Sequence, residues 1–307
     1  MRARRRDVDG RAEWASAEQR QYDAVAREAA AMVIRTYSSS FGLASRLLQE
    51  PVRGRIRDVY AFVRLADEIV DGPLGVARPE RAGAALDRLE AETAEALVDG
   101  YSSNLVVHAF AGTARRCGID DALIAPFLRS MRADLTVMEH DEESFVDYVY
   151  GSAEVVGLMC LRVFLVDEGS AATAGRPTPE QVADLETGAR RLGAAFQKVN
   201  FLRDLGEDFH ERGRRYFPGI DPTGLTEADK HRLLDDIDAD LAASRASVTA
   251  LPRSSRVAVA AAHSLFDELS SRLRATPAPE IVQHRVRVPA AVKNRVAMTS
   301  LVRGLAP

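Results

Sequence analysis

Cysteine is scarce in this chain, with Cys117 and Cys160 the two among 307 residues. Both lie in apolar surroundings of helical pattern and offer no disulfide framework, which fits a reducing, cytoplasmic location. Basic excess is missing too. The formal charge is −4, aromatics make up 6%, and no basic stripe carries interleaved aromatics, so nucleic acid is not an expected partner. The six histidines are scattered and none pairs with a cysteine in a zinc-type spacing. Long apolar runs are lacking, so no membrane span is expected. The opening "MRARRRDVDG" has no apolar segment behind it and does not read as a secretory signal. Strand patterning is confined to "HRVRVP", residues 284–289.

What is present is helical periodicity. The chain is 46% hydrophobic, enough for a sizeable core. Ala, Leu, Arg and Glu dominate, with apolar residues three and four apart. The pattern predicts helices near 17–36, 52–71, 79–99, 104–117, 120–139, 142–166, 179–209, 226–250, 255–274 and 289–303. Gly72-Pro73 stops the second of these, "GRPTPE" (175–180) starts the seventh, and 215–229 is the longest irregular stretch. A single all-α domain over 16–307 is expected, with residues 1–15 as a disordered basic tail.

Two stretches need a chemical reason. In "FVRLADEIVDG" (62–72), Asp67 and Asp71 stand four residues apart with Glu68 between them. Carboxylates at that spacing share a helix face and repel. At 100° per residue Tyr60, Arg64, Asp67 and Asp71 form one polar stripe, while Val59, Phe62, Val63 and Ile69 cover other parts of the circumference. The stretch 197–218 repeats the arrangement. Gln197, Asn200, Asp204 and Asp208 share a stripe, flanked by Arg203 and Glu207, and apolar residues take the rest. Carboxylates pointing into an apolar bundle must be neutralised. Oxygen-only ligands suit Mg²⁺, which keeps waters and takes substrate phosphates. Arg64 and Arg203 are suited to bidentate phosphate contacts. Either stretch alone is matched evenly by a solvated, ion-paired helix face. Together they point to a metal–diphosphate site between two helices.

These residues also carry a family resemblance. "VYAFVRLADEIVDG" and "LGAAFQKVNFLRDLGEDFHERGRRYFP" resemble the two aspartate-rich motifs of the squalene/phytoene synthases. "YVYGSAEVVGLMCLRVF" (148–164), "YSSSFGLASRLL" (37–48) and "HRVRVP" are similar to three further segments of that family, in the same order over roughly residues 30–300. The wording is most like that of bacterial phytoene synthases.

The resemblance implies an isoprenoid-synthase helical bundle with a central cavity. It implies metal binding by Asp67, Glu68, Asp71, Asn200, Asp204 and Asp208, with Mg²⁺ as cofactor and Mn²⁺ as a substitute. It implies diphosphate contacts from Arg64, Arg203, Arg214 and Arg285, and a cavity lined by Tyr60, Tyr150 and Gln197. The expected reaction joins two geranylgeranyl diphosphates head to head into 15-cis-phytoene, without NADPH, in carotenoid biosynthesis. Farnesyl diphosphate with squalene or dehydrosqualene as product is the alternative, and a catalytically inactive helical homologue the non-enzymatic one. Peripheral contact with a membrane, aided by the basic tail, and contact with pathway enzymes are also expected.

Two departures stand out. Ser39 replaces a basic residue of many relatives, with Arg46 the candidate substitute, and Phe266 stands where Tyr is common. Asp134 is read evenly as a cavity residue or an exposed helix-end carboxylate. Cys160 is expected to be inert packing, Lys198 and His210 to lie on the surface, and 235–248 to form a solvated face.

Overall fold

The computed structural model describes residues 17–38, 40–166 and 177–305. Ser39 and the basic tail lie outside them. Among the described residues the chain is built from helices, with one isolated parallel bridge between Glu139 and Arg215. The helices are α1 (Ala17–Tyr37), α2 (Ser40–Ser45), α3 (Val52–Asp71), α4 (Pro73–Ala77), α5 (Pro79–Asp99), α6 (Leu105–Cys117) and α7 (Asp121–Ala133). After them come α8 (Glu142–Val149), a π turn (Tyr150–Glu154), α9 (Val155–Leu165), α10 (Pro179–Arg203) and α11 (Leu205–Arg212). The last are α12 (Glu227–Ala250), α13 (Arg253–Ala275), α14 (Ala278–Gln283) and α15 (Ala290–Leu305).

Local chemistry sets most ends. Asn104 and Asp120 cap α6 and α7 through side-chain oxygens, and Asp141 and Thr178 form reciprocal capping boxes at α8 and α10. Gly100, Gly118 and Gly213 end α5, α6 and α11 with positive φ, where a Cβ would be strained. Residues 284–289 are extended but pair with no strand among the described residues.

The apolar core falls into two clusters. One joins α3, α6, α7 and α9 around Phe62, Phe110 and Phe127, with the Phe62 and Phe110 rings stacked at 4.0 Å. The other joins α10, α12, α13 and the 216–225 segment around Leu202, Leu234 and Ile237. A cavity of about 670 Å³, lined by members of both clusters, lies between them. On its wall α10 approaches both α9 and the π turn backbone to backbone. A Cβ on Gly157 would meet the Ala189 carbonyl at 2.5 Å, and one on Gly193 the Ala153 carbonyl at 2.6 Å.

The structure corrects several expectations. The stretch Glu142–Leu165 is in fact long and apolar enough to cross a bilayer by length and composition, but most of it is buried inside the bundle, as suits a core helix. Lys198 is not a surface residue. It is largely buried between α10 and α12, 2.5 Å from Asp236 and 2.9 Å from Asp240. Asp240, 3% exposed, also takes Arg191 at 2.9 Å, so the 235–248 run forms an ion-paired seam on one side. His210 is exposed, as expected.

Candidate active site

Both acidic stretches come to the mouth of the cavity. α3 ends at Asp71 and α10 at Arg203, so each brings its acids in at its C-terminal end. The expected single helix 179–209 breaks at Asp204 (φ −100°, ψ 9°) into α10 and α11. The amide hydrogen bonds from Asp204 to Asn200 and from Asp208 to Asp204, both 2.9 Å, carry the i, i+4 column through the break. Tyr60, Arg64, Asp67 and Asp71 face Gln197, Asn200, Arg203, Asp204 and Asp208 across the void. Gln197 donates to Ser152 at 3.2 Å.

Arginines tie the acids down. Arg64 bonds both Asp67 and Glu68 and lies 4.5 Å over the Tyr37 ring. Arg203 grips its neighbour Asp204 in a bidentate fork. Arg285, from the extended 284–289 segment, reaches the same carboxylate at 2.9 Å. Arg214 is buried, with Nη1 2.8 Å from Asp71 Oδ1 and 3.8 Å from Asp134. Burial alone would lower its pKa; Asp134, Tyr216 and Asp71 outweigh that and hold it protonated. Arg212, 3.2 Å from Asp208, continues the 200, 204, 208 column by one more i, i+4 step, a signal in the spacing that the sequence reading passed over.

The site remains under-compensated. Asp71 Oδ1 is buried and, despite the nearby Arg214, receives no hydrogen bond in a usable direction. Burial and the neighbouring Asp71 push the Asp67 carboxyl up to about 6, although about a third of its surface opens to the cavity. Burial and Asp204 push Asp208 up to about 6 as well. These all-oxygen donors fit a hard divalent cation. Among the described residues no three His, Cys, Asp or Glu side chains already converge on one point. The set therefore fits a cation that arrives with phosphate oxygens and water rather than one caged by protein alone.

Asp134 settles as a cavity residue. It is 8% exposed, accepts a 2.6 Å hydrogen bond from the Tyr148 hydroxyl, and is pushed up to about 7 by burial. Tyr148 is where the expectation for Tyr150 fails. The stripe Tyr148, Ser152, Val156 and Cys160 lines the void, while the Tyr150 ring lies outside it under Arg190 at 5.2 Å. Two residues along a helix is a turn of about 200°, so one of the two tyrosines must face away. Cys160 also faces the cavity, its thiol pushed up to about 12 by burial, which keeps it inert. Arg46 is exposed and off the wall, and Ser45 and Ala44 face inward in its place. Phe266 stacks on Phe196 at 3.7 Å, both in the wall.

A closed helical bundle holding two facing acidic clusters at the mouth of an apolar cavity defines an isoprenoid-synthase type of site. The chain belongs to the squalene/phytoene synthase family, whose profile matches residues 34–291. It is 29% identical over 288 residues to a phytoene synthase of Mycobacterium tuberculosis (strain ATCC 25618 / H37Rv), covering 88% of each chain. Against phytoene synthase 3, chloroplastic, of Zea mays it is 33% identical over 200 residues, covering 64% of this chain and 44% of the maize protein. It thus spans less than half the length of that plant relative. A solved dehydrosqualene synthase in complex with ligand superposes with a TM-score of 0.72 at 21% identity, covering 93% of this chain and 97% of the other. Squalene synthase HpnC from Alicyclobacillus acidocaldarius gives 0.68 at 20% identity, covering 85% and 95%. At those identities the likeness shows the all-α isoprenoid-synthase fold. The family uses prenyl diphosphates and generally needs a divalent metal.

Proposed function

We propose that the protein is a 15-cis-phytoene synthase, condensing two geranylgeranyl diphosphates head to head through prephytoene diphosphate. The observation that carries this is the pairing of Asp67 and Asp71 with Asn200, Asp204 and Asp208 across the polar mouth of an apolar cavity. Relatives named phytoene synthase support the twenty-carbon substrate.

Mg²⁺, held by Asp67, Glu68, Asp71, Asn200, Asp204 and Asp208 together with substrate phosphates, would neutralise charge on the leaving diphosphate. Arg64, Arg203, Arg214 and Arg285 give guanidinium forks for the phosphate oxygens. The first chain loses diphosphate, and the allylic cation is attacked by the second chain's double bond. Forming the cyclopropane releases one proton. Loss of the second diphosphate, rearrangement and a second proton loss give the hydrocarbon, with no NADPH consumed. Phe127, Phe196 and Phe266 keep water from the cations, and aromatic faces stabilise positive charge. On the same wall the Tyr148 hydroxyl donates to Asp134 at 2.6 Å. Because the product is insoluble, a cytoplasmic protein with peripheral membrane contact and hand-over to the next pathway enzyme belong to the same reading.

Purified protein with Mg²⁺ is given geranylgeranyl or farnesyl diphosphate, with and without NADPH, and hydrocarbons are identified by mass. Phytoene from the former without NADPH is expected. Product from farnesyl diphosphate alone moves the protein to the thirty-carbon branch, and no hydrocarbon from either overturns the reading.

A further inference from the structure

The cavity has a measurable depth, because helices act as rulers. From Asn200 at the mouth to Leu185 at the inner end of α10 is 15 residues, and from Asp71 to Ile56 on α3 is again 15. At 1.5 Å per residue both give about 22 Å. Each isoprene unit adds four chain bonds of about 1.5 Å, about 5 Å of extended length. Three units therefore reach about 15 Å and four about 20 Å. The level at which a fourth unit begins falls about 10 residues in from Asn200, where Ala189 is the adjacent residue that lines the void.

On the α10 side that level is built without bulk, while about the same count from Asp71 on α3 reaches Tyr60. Ala189 lines the void, its neighbour Gly188 carries no side chain, and Gly157 of α9 presses its backbone on the Ala189 carbonyl. Leu185 and Leu251 stand beyond, where a fourth unit would end. Larger wall residues, Leu192 and Phe196, sit nearer the mouth and leave the inner third of α10 to small ones. Gly188 has no freedom to vary, since a Cβ there would meet the Ser247 hydroxyl at 2.1 Å. Ala189 is instead part of the cavity lining.

We propose that Ala189 is the specificity-determining residue for chain length: its small side chain, level with the end of a third isoprene unit, is what admits the fourth. This rests on reading the cavity as the prenyl-diphosphate site.

The test measures Mg²⁺-dependent binding of two unreactive probes, the farnesyl and geranylgeranyl thiolodiphosphates, to the full chain by calorimetry. The series is Ala189→Val, Ala189→Leu and Ala189→Phe, with Thr187→Phe on the exposed outer face of the same turn as control. The preference for the longer probe is expected to fall stepwise, by roughly 100-fold at Ala189→Phe, because one unit of apolar contact is lost. Thr187→Phe should leave it unchanged. If Ala189→Phe does not fold, the Val and Leu steps carry the comparison. A folded series with an unchanged ratio, in a wild type that makes phytoene, overturns the length assignment and leaves the function standing. A wild type that binds neither probe and makes no hydrocarbon overturns both.

Discussion

Arg285 closes on Asp204 from 81 residues downstream, with Nε 2.9 Å from one carboxylate oxygen and Nη2 donating to the other at 3.1 Å. The contact pins the extended 284–289 segment over the second acidic cluster. It also occupies a carboxylate that a cation would need.

Arg285→Gln should therefore act on binding rather than on folding. The pair is partly exposed, and such pairs add little stability. The melting temperature should move by no more than about 2 °C. KM for the prenyl diphosphate should rise about 10-fold with the loss of a charged phosphate contact. Steady-state kinetics beside a thermal melt checks both, and a large drop in melting temperature with unchanged KM would show a structural role instead.

The two tyrosines of the π-turn region should separate cleanly. Tyr148→Phe removes the donor to buried Asp134, and its rate at saturating substrate should fall by about 10- to 100-fold. Tyr150→Phe keeps the ring under Arg190 and should stay within about 2-fold of wild type. The contrast in kcat between the variants is the measurement.

Stability should depend on pH in an unusual direction. Asp67 and Asp208 are raised to about 6 and Asp134 to about 7 from 3.8. Between about pH 4 and 7 the folded protein holds more protons than the unfolded chain, so stability falls as pH rises through that window. The metal-free protein should be more resistant to urea at pH 5.5 than at pH 7.5. Mg²⁺ with inorganic diphosphate should raise stability at pH 7.5 more than at pH 5.5, because binding needs the ionised carboxylates. Urea midpoints at the two pH values, with and without the additives, test the sign.

Lys230 is 2% exposed and donates to the carbonyls of Arg274 and Thr276 at 3.2 and 2.7 Å, closing the end of α13 onto α12. Lys230→Met fills the space but strands both carbonyls, at a cost of about 2–3 kcal/mol. Denaturant unfolding should show that loss, while activity per folded molecule at low temperature stays near wild type.

Much of this arrangement was legible in the sequence. The limits of α3 and α5 followed from Gly72-Pro73 and from apolar periodicity, and Asp67, Asp71, Asn200, Asp204 and Asp208 do face one another. The misses have local causes. α4 and α14 are too short to show periodicity, and a break at Asp204 that preserves the i, i+4 column leaves no mark in spacing. Tyr148 and Tyr150 sit two residues apart in equally apolar company, so composition alone could not say which faces inward. Lys198 and Asp240 look like surface charges until two helices are laid together.

Both acidic clusters sit where their helices end, α3 at Asp71 and α10 just before Asp204. A helix C-terminus carries unpaired carbonyls and about half a negative charge, and favours cations there. Here two such ends converge and are loaded with carboxylates; α3 has no basic residue in its last turn, and α10 has Arg203. Arg64, Arg203, Arg212, Arg214 and Arg285 reach into the same mouth, so it presents both signs side by side, held in place by the packing behind it. Such a mouth matches a metal and its diphosphate taken up as one unit, the carboxylates receiving the cation and the guanidiniums the phosphate oxygens.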